Sequence, residues 1–276
     1  MQAGKHRISG QVAGAVLVFM GCIFMFAALQ RQLIYFPETA AEGALLDAAE
    51  QRGLQAWRDR DGQLIGWRTV APGELQQRLV VFHGNAGHAL YRQYFAAGFL
   101  SLGVGWEVYL FEYPGYGARP GAPSESDIKA AAASAMEMLL AEDARPVYLV
   151  GESLGSGVAT WLASTFGTQS AGLLLVTPFT SLADVAGHHY GGLPAKALLR
   201  ERYDSNAALD QYQGPVAFVV AGKDEIVPAA LGRQLYESYR GPRLLREQPG
   251  AGHNSLDFNP GAAWWREVAD FWLSRG

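Results

Sequence analysis

The stretch PVYLVGESLGSG, from Pro146 to Gly157, decides the fold. Its first half is an uninterrupted apolar run, Val147 to Val150, framed by Pro146 and Gly151. Such a run reads as a strand covered on both faces. Its second half opens a helix over Leu154–Thr165, where Gly157 and Ala159 keep the surface slim enough to lie close on a sheet. Between the two stands a G-x-S-x-G pattern, Gly151-Glu152-Ser153-Leu154-Gly155. A serine on so sharp a strand-to-helix turn has its hydroxyl pushed into the open, and the flanking glycines let neighbouring backbone approach. Taken alone the pattern is short, and a structural glycine-rich turn would read the same way.

Outward from this unit, strands and helices alternate. Upstream, the sequence predicts strands at Leu33–Phe36, Leu54–Arg60 and Gln63–Val70, the last two joined by a hairpin turn at Asp61-Gly62. Strand Arg78–Phe82, helix His88–Leu102, strand Glu107–Phe111 and helix Glu125–Leu140 follow. Downstream come strand Gly172–Val176 and a mixed segment to Gly214 with a helix around Ala195–Arg202. Strand Pro215–Ala221, helix Ala229–Tyr239, strand Arg243–Glu247 and helix Gly261–Leu273 complete the chain. Continuous apolar strands alternating with helices predict an α/β fold with a mainly parallel, doubly wound sheet. In the last helix Trp264, Trp265 and Trp272 share a face with Val268 and Phe271, as expected for packing on that sheet.

Composition narrows the function. The chain has 276 residues, 49% of them apolar, enough for one large domain with a substantial core. A formal charge of −4 and the lack of any basic run argue against nucleic acid as partner. The sole cysteine, Cys22, excludes an intrachain disulfide and a cysteine-rich metal site. No H-E-x-x-H occurs among the six histidines, so neither a metal nor another cofactor is expected.

Residues Val12 to Leu29 carry no charge over 18 positions, about 27 Å as a helix and just enough to cross a bilayer core. A cleaved signal peptide and a buried helix are the competing readings. The exit Phe26-Ala27-Ala28-Leu29 fits a cleavage site poorly, and the apolar run continues past Cys22, against lipidation there. The favoured expectation is one N-terminal transmembrane helix, an uncleaved signal anchor over residues 1–31, followed by a domain over residues 32–276. Lys5 and Arg7 against the single Arg31 put the amino terminus in the cytoplasm and the domain outside.

In parallel sheets, chemistry gathers at the carboxyl ends of the strands. Four unusual loops fall there. Gly151–Gly155 offers Ser153 as a nucleophile. His83-Gly84-Asn85-Ala86-Gly87-His88 can point backbone N–H groups into an anion-holding concavity. A phosphate loop is the rival, but no Walker or dinucleotide pattern is present. With the N–H of Leu154, that of Asn85 is a candidate oxyanion donor. His83 is expected to brace this loop and His88 to lie on the helix surface. The third loop, Ala221–Pro228, presents Asp224 to orient a histidine, with Glu225 as the substitute and a helix cap as the structural alternative. The fourth, Gly250–Ser255, holds His253, placed to act as general base in the chain order Ser…Asp…His.

These motifs, with Leu33-Ile34-Tyr35-Phe36-Pro37, Glu112-Tyr113-Pro114-Gly115-Tyr116-Gly117 and Pro178-Phe179-Thr180-Ser181-Leu182, make the chain from Leu33 to Gly276 resemble the α/β-hydrolases. More narrowly it resembles their membrane-anchored branch, the bud-emergence-suppressor-like and α/β-hydrolase-domain proteins. The resemblance implies a serine hydrolase of esters or thioesters, with Ser153 as nucleophile, Asp224 as acid and His253 as base. The cap insertion, residues 182–214, is too short for a peptidase lid and implies an open mouth near His188, His189, Tyr190 and Leu193. A mouth of that kind beside a bilayer suits greasy acyl substrates. A catalytically idle, membrane-tethered scaffold and a peptidase or amidase of the same fold are the alternatives.

Overall fold

The computed structural model of the chain describes residues 14, 20, 21, 25, 29–70, 76–103, 105–191 and 199–275. Its strands are β1 Phe36–Pro37, β2 Leu54–Arg58, β3 Leu64–Thr69, β4 Gln77–Phe82, β5 Ala86–Gly87, β6 Trp106–Phe111, β7 Val147–Glu152, β8 Ser170–Val176, β9 Val216–Ala221 and β10 Arg243–Gln248. Its α-helices, in chain order, are α1 Glu42–Glu50, α2 Gln93–Leu100, α3 Glu125–Glu142 and α4 Leu154–Phe166. They continue with α5 Leu182–His189, α6 Ser205–Leu209, α7 Ala229–Ser238 and α8 Ala263–Leu273. Eight strands form one sheet in the order β10-β9-β8-β7-β4-β6-β3-β2. Only β3 runs against both of its neighbours; the six strands from β10 to β6 are parallel.

The unbroken apolar strands are explained by two cores, one on each face. Along β7, Val147 and Leu149 face α3 and α4, while Tyr148 and Val150 face α2 and α8. The same alternation holds for Val80 and Phe82 against Leu79 and Val81 in β4. A period of two with both sets buried leaves no polar position. The expected tryptophan face of α8 is borne out. Trp265 and Trp272 are fully covered, and Trp272 stacks on Tyr148 with centroids 4.8 Å apart. Gly98 in α2 is where the Trp265 ring lies, and Gly172 makes room for Trp272.

Three expectations are corrected. Residues 29–34 are helical, with the Tyr35 N–H on the Arg31 carbonyl, and only Phe36–Pro37 is strand. The pairing partner there, β5, is itself only two residues long, so no longer strand can form. His88 is buried rather than on a helix surface: the helix begins later, after a 3₁₀ turn at Ala89–Arg92, and His88 is extended ahead of it. Finally, Leu199–Arg202 are not helical. Their backbone donors go to side chains far away in sequence, Arg200 N–H to Gln30 Oε1 at 2.7 Å and Arg202 N–H to Glu125 Oε2. Ala195–Leu198, the rest of that expected helix, lie outside the described residues, as does Leu193.

Most of Val12–Leu29 also lies outside the described residues; Gly14, Met20, Gly21, Met25 and Leu29 within it are helical and exposed. Among the described residues no helix is long and apolar enough to cross a membrane.

Candidate active site

The turn between β7 and α4 is built by steric necessity. Ser153 takes φ 53° and ψ −119°, a conformation that costs a side-chain-bearing residue about 1–3 kcal/mol. The surroundings hold it there. Its N–H donates to the Val176 carbonyl at 2.8 Å, and its own carbonyl accepts from Ser156 N–H at 2.9 Å and Ser156 Oγ at 2.6 Å. A side chain at Gly155 would fall on the Phe82 and His83 carbonyls, and one at Gly151 on the backbone of Gly155 and Ser156. Both glycines of G-x-S-x-G are therefore required by close backbone approach.

From three loops, three side chains meet. His253 Nε2 lies 3.1 Å from Ser153 Oγ, and His253 Nδ1 lies 2.7 Å from Asp224 Oδ2. An ionised carboxylate only accepts, so Nδ1 carries the proton and Nε2 is left to accept from the serine. The other Asp224 oxygen accepts from the N–H groups of Ile226 and Val227 at 2.9 and 2.7 Å. Asp224 thus closes its own turn with one oxygen and holds His253 with the other. It does not cap α7, whose N-cap is Pro228. Glu225 is exposed and Asp224 alone reaches the ring.

Beside Ser153 lies the second loop. A Cβ built on Gly84 would sit 3.6 Å from Ser153 Cβ. Among the described residues, the N–H groups of Asn85 and Leu154 donate no hydrogen bond. His83 is buried and its Nδ1–H donates to the Gly84 carbonyl at 2.7 Å. That carbonyl shares a peptide plane with the Asn85 N–H, so the ring fixes which way the N–H points. Expected as a brace, His83 is one; its ring also packs at a tilt against Tyr113 with centroids 3.9 Å apart, and its Nε2 lies 3.3 Å from Glu112. His88 packs on Tyr91, and burial pushes its imidazole pKa down, against the upward pull of Glu112 and Glu38.

Part of the site gave no local signal in the sequence. Glu152, inside the G-x-S-x-G, accepts from Arg92 Nε at 2.9 Å and from Tyr94 OH at 2.8 Å. Burial opposes the Arg92 charge, but Glu152 outweighs it and the pKa rises. Tyr94 in turn packs at a tilt against Phe258, just past His253, with centroids 4.3 Å apart. This network ties the serine turn to the histidine loop through Tyr94, which lies 58 positions before Glu152 and is far from Phe258 in the chain. On the opposite side, His189 Nε2 donates to the Ile226 carbonyl at 2.8 Å, so the end of α5 sits over the Asp224 loop. His188, His189 and Tyr190 are exposed there. Among the described residues no three His, Cys, Asp or Glu side chains converge as a metal site.

Sheet order, serine turn and loop geometry together define an α/β-hydrolase. The model of the α/β-hydrolase fold matches residues 77–195. A Mycobacterium tuberculosis protein, Rv2307c, is 37% identical over 95% of this chain and 93% of its own length. Protein bem46 of Schizosaccharomyces pombe is 31% identical over 80% of this chain and 78% of its own. The chain belongs to the bem46-like branch of the α/β-hydrolase family. The lysophosphatidylserine lipase ABHD12 of Danio rerio is 28% identical over 66% of this chain and 52% of that protein. Among solved structures, the Pyrococcus furiosus esterase PF2001 superposes with a TM-score of 0.66 at 14% identity, covering 88% of this chain and 97% of that one.

Proposed function

We propose that the chain is a serine hydrolase of carboxylic esters or thioesters, working through an acyl-enzyme. The observation that carries this reading is the hydrogen-bonded series Ser153–His253–Asp224 beside N–H groups at Asn85 and Leu154 that have no partner among the described residues. A serine hydroxyl is scarcely ionised near neutral pH, so His253 Nε2 takes its proton as Oγ attacks the acyl carbon. Asp224 holds the imidazole in the required tautomer and stabilises the imidazolium. The Asn85 and Leu154 N–H groups receive the negative oxygen of the tetrahedral intermediate. His253 then gives its proton to the leaving alcohol or thiol, and a water activated by the same ring releases the acid.

Lipid-like acyl substrates fit the surroundings best. Phe36, beside the Asn85 loop, and Ile226, two residues past Asp224, are half exposed at 52% and 50%. The apolar run Val12–Leu29 would hold such a mouth at a bilayer as a signal anchor over residues 1–31, with the catalytic domain, residues 32–276, on the extracytoplasmic side. The lysophosphatidylserine lipase relative supports the same substrate class.

The test is labelling of membranes carrying the full chain with a fluorophosphonate probe, wild type against Ser153→Ala. Labelling that vanishes in the variant, with hydrolysis of long-chain esters and thioesters, is the expected result. Folded wild-type protein that takes no label would return the chain to the idle-scaffold reading.

A further inference from the structure

The segment leading out of the N-terminal apolar run is wedged between the Asn85 loop and the far end of the cap. Three bonds converge on Asn85 from it and from one neighbour. The Asn85 side-chain amide donates to the Ile34 carbonyl at 2.8 Å, while the Asn85 carbonyl accepts from Phe36 N–H at 2.8 Å and Tyr116 OH at 2.7 Å. Beyond it, Phe36–Pro37 pairs with Ala86–Gly87, and Glu38 N–H reaches the Gly87 carbonyl at 3.0 Å. Asn85 is thereby held on both sides of its Cα, while its own N–H is left unpartnered among the described residues.

The segment is itself anchored on the other side. Tyr35 OH donates to Glu201 Oε2 at 2.6 Å and so accepts from Tyr203 OH at 2.8 Å. Arg31 Nε donates to the other Glu201 oxygen at 2.8 Å. Glu201, Tyr35 and Tyr203 are all buried. Tyr203 packs on α4 at Gly157, where a side chain would meet its Cβ at 2.7 Å. One short segment therefore touches the Asn85 loop directly and reaches the helix that begins at Ser153 through Tyr203, and these are the two structures that must stay in register.

We infer that residues 30–37 are a positioning part of the active site: Ile34 and Phe36, acting through Asn85, aim the oxyanion-binding N–H, and Tyr35, held by Glu201, fastens them to the serine helix through Tyr203. This rests on the reading of Asn85 N–H as an oxyanion donor. The positioning groups contact no substrate; they act on when and how well that donor meets the developing charge. A donor lost outright costs about 10²–10³ in rate, so one left in place but loosely aimed costs less.

The experiment uses the full chain in detergent micelles with a soluble p-nitrophenyl ester. Asn85→Asp keeps the shape and the backbone N–H but faces the Ile34 carbonyl with a second acceptor. Tyr116→Phe and Tyr35→Phe each remove a single hydroxyl. Asn85→Asp is expected to lower kcat about 10- to 100-fold with KM within twofold, and to slow fluorophosphonate labelling in parallel, since that probe also develops charge on oxygen. Tyr116→Phe and Tyr35→Phe are expected to lower kcat several-fold with the same split. Wild-type kcat in all three, or a loss seen only in KM or only as a smaller folded fraction, would overturn the inference. Should Asn85→Asp not fold, the two Phe variants decide by the same numbers. Activity surviving Ser153→Ala would instead sink the reading on which the inference rests.

Discussion

The two halves of the site are held in different ways. On the serine side, residues 153–160 are all buried, and the turn is enforced by backbone packed on backbone. On the histidine side, Asn254, Ser255, Asp257 and Asn259 are exposed, and Asp224 and His253 stand on turns that close mostly on themselves. Ser255 Oγ, for example, accepts from Gly252 N–H at 2.8 Å within the same loop. The contrast teaches where tolerance lies. A strained conformation persists only where the surroundings over-determine it, and here that is the serine turn. The histidine loop needs only to be delivered to the right place, through Asp224 on one flank and Phe258 against Tyr94 on the other.

The largest expected effect comes from the group on which both halves converge. Ser153→Ala should lower kcat on the order of 10⁶ with the fold intact, read by ester hydrolysis and circular dichroism. Next, Asp224→Asn should lower kcat about 10⁴ through the wrong His253 tautomer, while the exposed neighbour changed in Glu225→Gln should stay within twofold of wild type. Equal losses in both would mean the acid side is less defined than its hydrogen bonds indicate. The contrast in packing is tested by paired glycines. Gly155→Ala should destabilise by about 3 kcal/mol, because the contacting atoms are backbone and cannot swing aside. Gly250→Ala, in the histidine loop with open space around it, should change stability by less than about 0.5 kcal/mol in the same denaturant titration.

The smallest effect is a pH dependence beneath the Asn85 loop. Burial lowers the His88 pKa below its ordinary value of 6.5, so the unfolded chain binds a proton there before the folded one does. Stability from this group is present above pH 6.5 and is lost as pH falls toward the lowered folded value. His88→Asn should flatten the acid limb of the melting temperature relative to wild type. Identical limbs would show that His88 is solvated in solution.

Much of the fold, and the meeting of Ser153, Asp224 and His253, was legible in the residues, for a physical reason. Periodicity and turn chemistry are local: PVYLV, RLVVF and AFVVA announce strands covered on both faces, and G-x-S-x-G can form only where glycines allow backbone to touch. The order Ser153, Asp224, His253 followed from each lying in a loop after a strand of one parallel sheet. What depended on distant partners was not legible. His88 reads as a surface residue, yet Ala89 N–H donates to Glu112, far along the chain, and the fold buries the ring. Leu199–Arg202 reads as helix until Gln30 and Glu125 take its N–H groups.

The layers, the parallel sheet and the identity of the three residues that meet are each written in a short window of apolar spacing, glycine and turn, so they could be read along the chain. It takes the folded chain to tie Glu152 to Arg92 and Tyr94, to set His83 against the Gly84–Asn85 peptide, and to bring Ile34 and Phe36 onto Asn85. Those contacts depend on strand order and register across separations of up to about sixty residues, where no pattern in the chain ties one partner to the other.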